Sequence, residues 1–184
     1  MMFDCEDCIA RVRRFGAVSL AKARTHPFAV FMEKTLVQPD GLSRTLEVGD
    51  IFDFDLPMRW ADADALNHLN NANYFRYMEE GRIKMFYEGK VQQSARFSPV
   101  VVHCSCDFKK PITYPALIRV SHRVERIGRS SMEHAVDLSV IHPDGLELCA
   151  QGKSIMVWMD FELNRGHPWP VDVLQALASS INRR

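Results

Sequence analysis

The stretch from Ala72 to about Glu88 is helical in pattern and almost entirely apolar. Its one polar stripe is narrow: Arg76, Glu80, Lys84 and Glu88 recur every four residues and alternate in sign, as neighbours on one helix face do. Around the rest of the circumference stand Ala72, Tyr74, Phe75, Tyr77, Met78, Gly81, Ile83, Met85, Phe86 and Tyr87. A helix wrapped so widely in apolar side chains has to be surrounded by other structure. Asn70 or Asn71 just before it is a good N-cap.

Strand patterns supply that structure. Phe52, Phe54, Leu56, Met58 and Trp60 alternate with Asp53, Asp55, Pro57 and Arg59, the period-two signature of a half-buried strand. Pro57, which lacks an N–H, places this strand at an edge or gives it a bulge. After the helix the inward sets are Val100, Val102, Cys104, Cys106 and Phe108, then Ile118, Val120, His122 and Val124, then Met132, His134, Val136, Leu138 and Val140. A long last strand runs from about Leu146 to Phe161, with Gly152 inside it as a candidate bulge. Turns at 127–130 and 142–145 link consecutive strands, and Pro168 and Pro170 precede a terminal helix over Val171–Ile181. Strand, buried helix, then four hairpin-linked strands describes an α+β domain, an antiparallel sheet wrapped around one long central helix.

The chain divides on this reading into an N-terminal extension (1–46), partly helical over Ile9–Arg24, a sheet-and-helix domain (47–165) and a C-terminal helical tail (166–184). Lys and Arg number 23 against 23 Asp and Glu. Such a balance argues against a partner held by bulk electrostatics, nucleic acid above all. No stretch approaches the roughly 18 uncharged apolar residues of a membrane span. Asp4, Glu6 and Asp7 give the start the wrong sign for a secretory leader. The expected location is the cytoplasm, with the five cysteines reduced. Cys5 and Cys8 form a C-x-x-C pair, but no second ligand pair follows to complete a zinc site. Arg11, Arg13, Arg14, Lys22 and Arg24 leave open a contact of the extension with a membrane surface.

The densest polar cluster, Asp62, Asp64, Asn67, His68, Asn70, Asn71 and Asn73, lies between the first strand and the central helix. A loop feeding a helix N-terminus brings carboxylates beside free backbone N–H groups, which suits an anion or a developing oxyanion. Four readings of these residue types stay open. A carboxylate could act as nucleophile or base in a hydrolysis; Asp62, Asp64 and His68 could ligate a divalent metal; Asp62 and Asp64 could form a phosphatase-like pair; or the cluster could simply cap the helix and fill a turn.

The segment Arg59-Trp60-Ala61-Asp62-Ala63-Asp64-Ala65-Leu66-Asn67-His68-Leu69-Asn70-Asn71-Ala72-Asn73-Tyr74, continued by Tyr77-Met78-Glu79-Glu80-Gly81-Arg82, resembles the signature of hotdog-fold acyl-CoA thioesterases of the 4-hydroxybenzoyl-CoA thioesterase type. The similarity extends over about residues 50 to 162, through Pro111-Ile112-Thr113-Tyr114-Pro115 and Ile127-Gly128-Arg129-Ser130-Ser131. It implies a hotdog fold and hydrolysis of an acyl-CoA or acyl-carrier-protein thioester, with no cofactor beyond the CoA of the substrate. It also implies a homo-oligomer, dimer or tetramer, with the pocket at the subunit interface.

Residue by residue, the resemblance places Asp64 on the catalytic carboxylate, nucleophile or general base, with Asp62 its neighbour. The backbone N–H of Asn71 falls on the group that polarises the thioester carbonyl. His68, Asn70 and Tyr74 fall on positions that shape the pocket floor, and Arg129 on the phosphate-binding turn, with Arg123, Arg126, Lys109 and Lys110 as further cations. Asn67 stands where the family usually carries Gly, and Asn tolerates left-handed backbone better than most residues. Trp60, Phe75 and Met78 are candidates to line the acyl pocket or to pack the core. His122 and His134, on inward strand faces, read as core or interface histidines. Two other functions remain: a non-catalytic acyl-thioester-binding module, and a hydratase-like lyase, which needs a different Asp–His spacing.

Overall fold

The computed structural model describes residues 44–181. The Ile9–Arg24 helix, the basic residues along it and the Cys5/Cys8 pair lie outside the described residues. Strand β1 (Ile51–Pro57) buries Phe52, Phe54 and Leu56 on one face, as period-two alternation requires. Helix α1 (Asn71–Glu88) follows, its N-cap Asn70 accepting the Ala72 N–H at 3.0 Å. Strands β2 (Phe97–Phe108), β3 (Leu117–Ile127), β4 (Ser131–His142), β5 (Gly145–Asp160) and the short β6 (Arg165–Gly166) precede helix α2 (Val171–Ser179).

All pairings are antiparallel, in the order β1-β3-β4-β5-β2, with β6 on β5. The sheet curls around α1, the α+β hotdog arrangement that the patterning and the resemblance both point to. Toward the start of α1, Tyr74, Tyr77 and Met78 pack on Leu56, Ile118 and Leu138. Toward its end, Met85 and Phe86 meet Phe52, Trp158 and the buried face of α2. Burying a side chain such as Met78 or Met85 contributes about 1.5–3 kcal/mol. Two glycines let the layers close. A Cβ on Gly81 would stand 3.0 Å from the His122 ring, and one on Gly152 would stand 2.3 Å from the Ser105 carbonyl oxygen. No helix among the described residues is long and apolar enough to cross a membrane.

Four local readings need correction. The β1 alternation stops at Pro57: Met58 is still buried, its N–H bonded to Ala116 O, but the chain then turns through a short 3-10 helix (Trp60–Asp62) and leaves Trp60 75% exposed. In β2 a bulge between Val101 and His103 shifts the phase. Cys104, Cys106 and Phe108 face α1 as expected, whereas Val101, not Val100 or Val102, is the residue in register with the buried Met156, and it is itself 39% exposed. Gly152 is regularly paired; the β4–β5 irregularity falls beside it, where Leu138 pairs with Ala150 and Ser139 with Leu148. Finally, the sheet covers only one side of α1. Phe75, Ile83 and Tyr87 are 38, 57 and 82% exposed, because a single curled sheet shields about half of a helix, and the all-round apolar pattern asks for more.

Candidate active site

Three elements hold the polar loop between β1 and α1. Asp62, 2% exposed, turns inward: its carboxylate accepts from Arg59 Nε at 2.8 Å and Nη2 at 3.1 Å, and from the Tyr77 hydroxyl at 2.9 Å, with Arg76 at 3.6 Å. Burial pushes this carboxyl up, but the hydrogen bonds and charges of Arg59, Tyr77 and Arg76 outweigh it and hold it below the usual carboxylate range. The same contact, with burial as the larger cause, pushes the Tyr77 phenol up to about 12. The Asp62 carbonyl accepts from Asn70 N and Asn73 Nδ2, both at 3.0 Å. One residue thus joins the end of β1, the body of α1 and its first turn. Arg59, Arg76 and Tyr77 were missed as a unit from the sequence, although Tyr77 lies one turn from Asn73 on the same face.

Asp64, two residues on, is exposed. Its Oδ1 accepts from Leu66 N at 2.8 Å and His68 N at 3.0 Å, and its own N–H donates to His68 O at 2.7 Å. This is an Asx-type closure in which a carboxylate caps the loop that carries it. The other oxygen has no hydrogen-bond partner among the described residues. Asp64 opens into a depression of about 400 Å3 shared with Trp60, Ala61, Ala63, Ala65 and Asn67. At the far end of the loop Ala72 N is taken by Asn70 Oδ1 and Asn73 N by Asn70 O. Asn71 N–H is left as the first-turn donor without an acceptor among the described residues, at the positive end of the helix.

Asn67 adopts φ +61°, the left-handed conformation that a glycine would supply without cost and Asn tolerates. Its side-chain Nδ2 donates to Tyr114 O at 3.1 Å, and its carbonyl accepts from Tyr114 N at 3.3 Å. With the His68–Thr113 bridge and the 2.7 Å bond from Leu69 N to Ile112 O, this seats the loop on segment 111–115, the second turn of the resemblance.

Asp64, His68, Asn70 and Asn71 therefore share one short loop. Tyr74 begins the next helical turn but is 2% exposed, its ring edge-on to Phe108 at 4.8 Å between centroids. It packs beneath the loop, as Met78 does. Arg129 is not brought to Asp64 within the chain. It is exposed on the β3–β4 turn, beyond the end of β3 that pairs with Ile51, while the site adjoins the end that pairs with Pro57. The 11 residues of β3 lie between them, roughly 30 Å of strand. Of the further cations expected from the sequence, Lys109 and Lys110 lie at the Asp64 end, and Lys110 pairs with Glu147 at 2.7 Å. Arg123 and Arg126 pair with Glu125 and Glu133. No group of three potential metal ligands converges among the described residues, and Asp62 and Asp64 turn to opposite sides of the backbone, one buried and one exposed.

His122 and His134 are fully buried, 5.6 Å apart edge-to-face. His122 Nε2 meets Met78 O at 3.0 Å, while neither ring nitrogen of His134 finds a partner among the described residues. Both read as core residues. Cys104, Cys106 and Cys149 are free thiols, and burial pushes Cys106 up to about 11.

The residues 58–177, more than half of the chain, match the family model of the thioesterase-like superfamily. Among solved structures, a candidate thioesterase from Pseudomonas aeruginosa is 31% identical with a TM-score of 0.60, over 65% of this chain and 92% of that one. A candidate acyl-CoA thioesterase from Xanthomonas campestris is 33% identical with a TM-score of 0.54, over 60% and 95%. A 4-hydroxybenzoyl-CoA thioesterase variant in complex with 4-hydroxybenzoyl-CoA is 17% identical with a TM-score of 0.62, over 70% and 99%, a likeness of fold. A search of curated proteins finds no match. With the antiparallel sheet, the helix packed against its concave face and the Asp-bearing loop at the helix N-terminus in place, the chain belongs to the thioesterase-like superfamily.

Proposed function

We propose that this chain hydrolyses the thioester of an acyl-CoA to the free acid and CoA, with Asp64 as the reacting carboxylate. One observation carries the reading: Asp64 Oδ1 is fixed by two backbone N–H groups at the lip of a depression, on the loop that ends at the first N–H of α1. The free oxygen either attacks the thioester carbon, expelling the CoA thiolate and leaving an anhydride that water opens, or takes a proton from the water that attacks. Either way the carbonyl oxygen gains negative charge, and the Asn71 N–H at the helix start is placed to stabilise it. Asp62 does not react: its carboxylate is committed to Arg59 and Tyr77.

Nothing among the described residues covers the outer half of α1 or the outer edge of β2, and a second copy is the covering this reading assigns to them. Arg129 then serves the CoA phosphates of a site whose Asp64 belongs to the other copy. His68 and Asn70 shape the pocket floor through the loop, with Tyr74 packed beneath them. The carrier is CoA or an acyl-carrier protein.

Thiol release from acetyl-, hexanoyl-, benzoyl- and palmitoyl-CoA, compared between wild type and Asp64→Asn, tests the proposal. The expected result is cleavage of at least one by the wild type and a loss of a hundredfold or more in the variant, about 2.7 kcal/mol of transition-state stabilisation. Binding of an acyl-CoA with no thiol released by either protein would make the chain a binding module.

A further inference from the structure

Resting on the assignment of Asp64 as the reacting carboxylate, we propose that Trp60 is the specificity-determining wall of the acyl subsite and that the acyl group it receives is apolar and uncharged. The strand alternation predicts a buried Trp60. The turn after Pro57 instead leaves its indole 75% exposed, on the rim of the depression that holds Asp64. Leu66, 74% exposed, stands on the same loop. Isolated exposed apolar residues are ordinary, but a large indole on the rim of a depression that holds a carboxylate with one oxygen unbonded among the described residues forms a surface suited to an apolar ligand.

The other walls set size and charge. Ala61, Ala63 and Ala65 line the depression with methyl groups, so the space of about 400 Å3 exists because nothing larger occupies it. That volume is at the low end for small-molecule sites, enough for an acyl group with its carrier lying outside. Among the described residues the one charged group lining the depression is Asp64 itself. An acyl group ending in a second carboxylate would meet like charge there and no cation among those lining residues. The Asn67 amide nitrogen, the other polar group of the wall, is already bonded to Tyr114 O. Hydrophobic contact with the indole is thus what this subsite offers to distinguish acyl groups.

The test compares acetyl-, hexanoyl- and succinyl-CoA with the full-length wild type, Trp60→Ala and Trp60→Phe, reading kcat/KM by thiol release. In parallel, calorimetry reads binding of the same thioesters to Asp64→Asn and to Asp64→Asn/Trp60→Ala. The wild type should favour hexanoyl over acetyl by at least about tenfold, since each buried methylene is worth 10-fold or more in a fitted pocket, and succinyl should be the poorest. Trp60→Ala should lower the hexanoyl-to-acetyl ratio by about tenfold, chiefly through KM, with Trp60→Phe restoring part of it. Equal losses for all acyl groups, or no loss, overturn the assignment. So does a drop in oligomeric mass of Trp60→Ala in sedimentation, which would make Trp60 a contact between copies. If the wild type releases no thiol from any substrate, the hydrolytic reading fails separately. The binding arm then decides: a selective loss of hexanoyl affinity without the indole upholds the subsite, and equal affinities overturn it.

Discussion

The hydroxyl of Tyr77, on the buried face of α1, donates a 2.9 Å hydrogen bond to the carboxylate of Asp62, a group 2% exposed in the loop before the helix. Asp64 lies two residues beyond that anchor and Asn71 nine, so the bond helps fix the loop that carries the proposed reacting carboxylate relative to the first turn of α1.

Tyr77→Phe removes the hydroxyl and keeps the ring. A hydrogen bond to a charged group contributes about 1.5–3 kcal/mol, and Asp62 retains Arg59. Chemical denaturation should show a loss in that range, with kcat falling more than KM rises, because what is disturbed is the placing of Asp64. An unchanged unfolding midpoint would show that the Asp62 carboxylate does not need the phenol.

Asn67 is left-handed and doubly bonded to Tyr114. In Asn67→Ala the backbone conformation alone costs about 1–2 kcal/mol, and the bond to Tyr114 O is lost as well. Asn67→Gly loses only that bond and gains a residue at ease with positive φ. The expected order of stability is therefore wild type or Asn67→Gly above Asn67→Ala, measured by urea unfolding. Alanine as the most stable of the three would mean that the turn relaxes out of the left-handed region.

The two core histidines make stability fall in acid. Burial, with Arg82 as a second cause and Met78 O opposing, moves His122 from 6.5 down to about 4. Burial, then His122 and Arg82, moves His134 well below 6.5. Below about pH 6.5 the unfolded chain therefore binds protons that the folded chain refuses. The stability present above that pH is lost as pH falls, by at most about 1.4 kcal/mol per unit for each histidine, down to about 4 for His122 and lower for His134. His134→Leu deletes one of these groups together with two unpartnered ring nitrogens. Its stability should match or exceed wild type at pH 7 and decline less steeply toward pH 5. Parallel slopes for the two proteins would remove His134 from this account.

Arg129 stands some 30 Å of strand from Asp64 in its own chain, so the proposed role in binding CoA requires a second copy. Arg129→Ala should raise KM several-fold with little change in kcat. Refolding an equal mixture of Arg129→Ala and Asp64→Asn chains should produce a fraction of sites with wild-type KM, since such sites draw Asp64 from one chain and Arg129 from the other. A mixture that shows only the raised KM would mean that Arg129 acts on the site of its own chain, and an unchanged KM in Arg129→Ala itself would place the residue outside the site.

Much of the fold is legible because it is periodic. Alternation along β3 and β4 put Ile118, Val120, Met132 and Val136 inside, and all are buried. The helix, its Asn70 cap and the loop before it follow from side-chain chemistry within a few residues of one another. Where a reading failed, a partner distant in the chain had decided the outcome. The β2 bulge suits its pairing with β5, and the turn at Trp60 follows a proline on an edge strand that must also hand Met58 N–H to Ala116 O.

The sequence by itself determined the architecture and the loop in which the polar residues gather, since both rest on periods of two and 3.6 residues and on local capping. Only the tertiary structure decided which of two similar aspartates is buried and which is exposed. Asp62 meets a hydroxyl 15 positions away on α1, Asn67 meets a carbonyl 47 positions away, and neither contact leaves a trace in local spacing. It also decided that Trp60 is exposed and Arg129 remote, because the direction of a side chain and the end of a sheet it occupies are properties of strand pairing, not of composition or period.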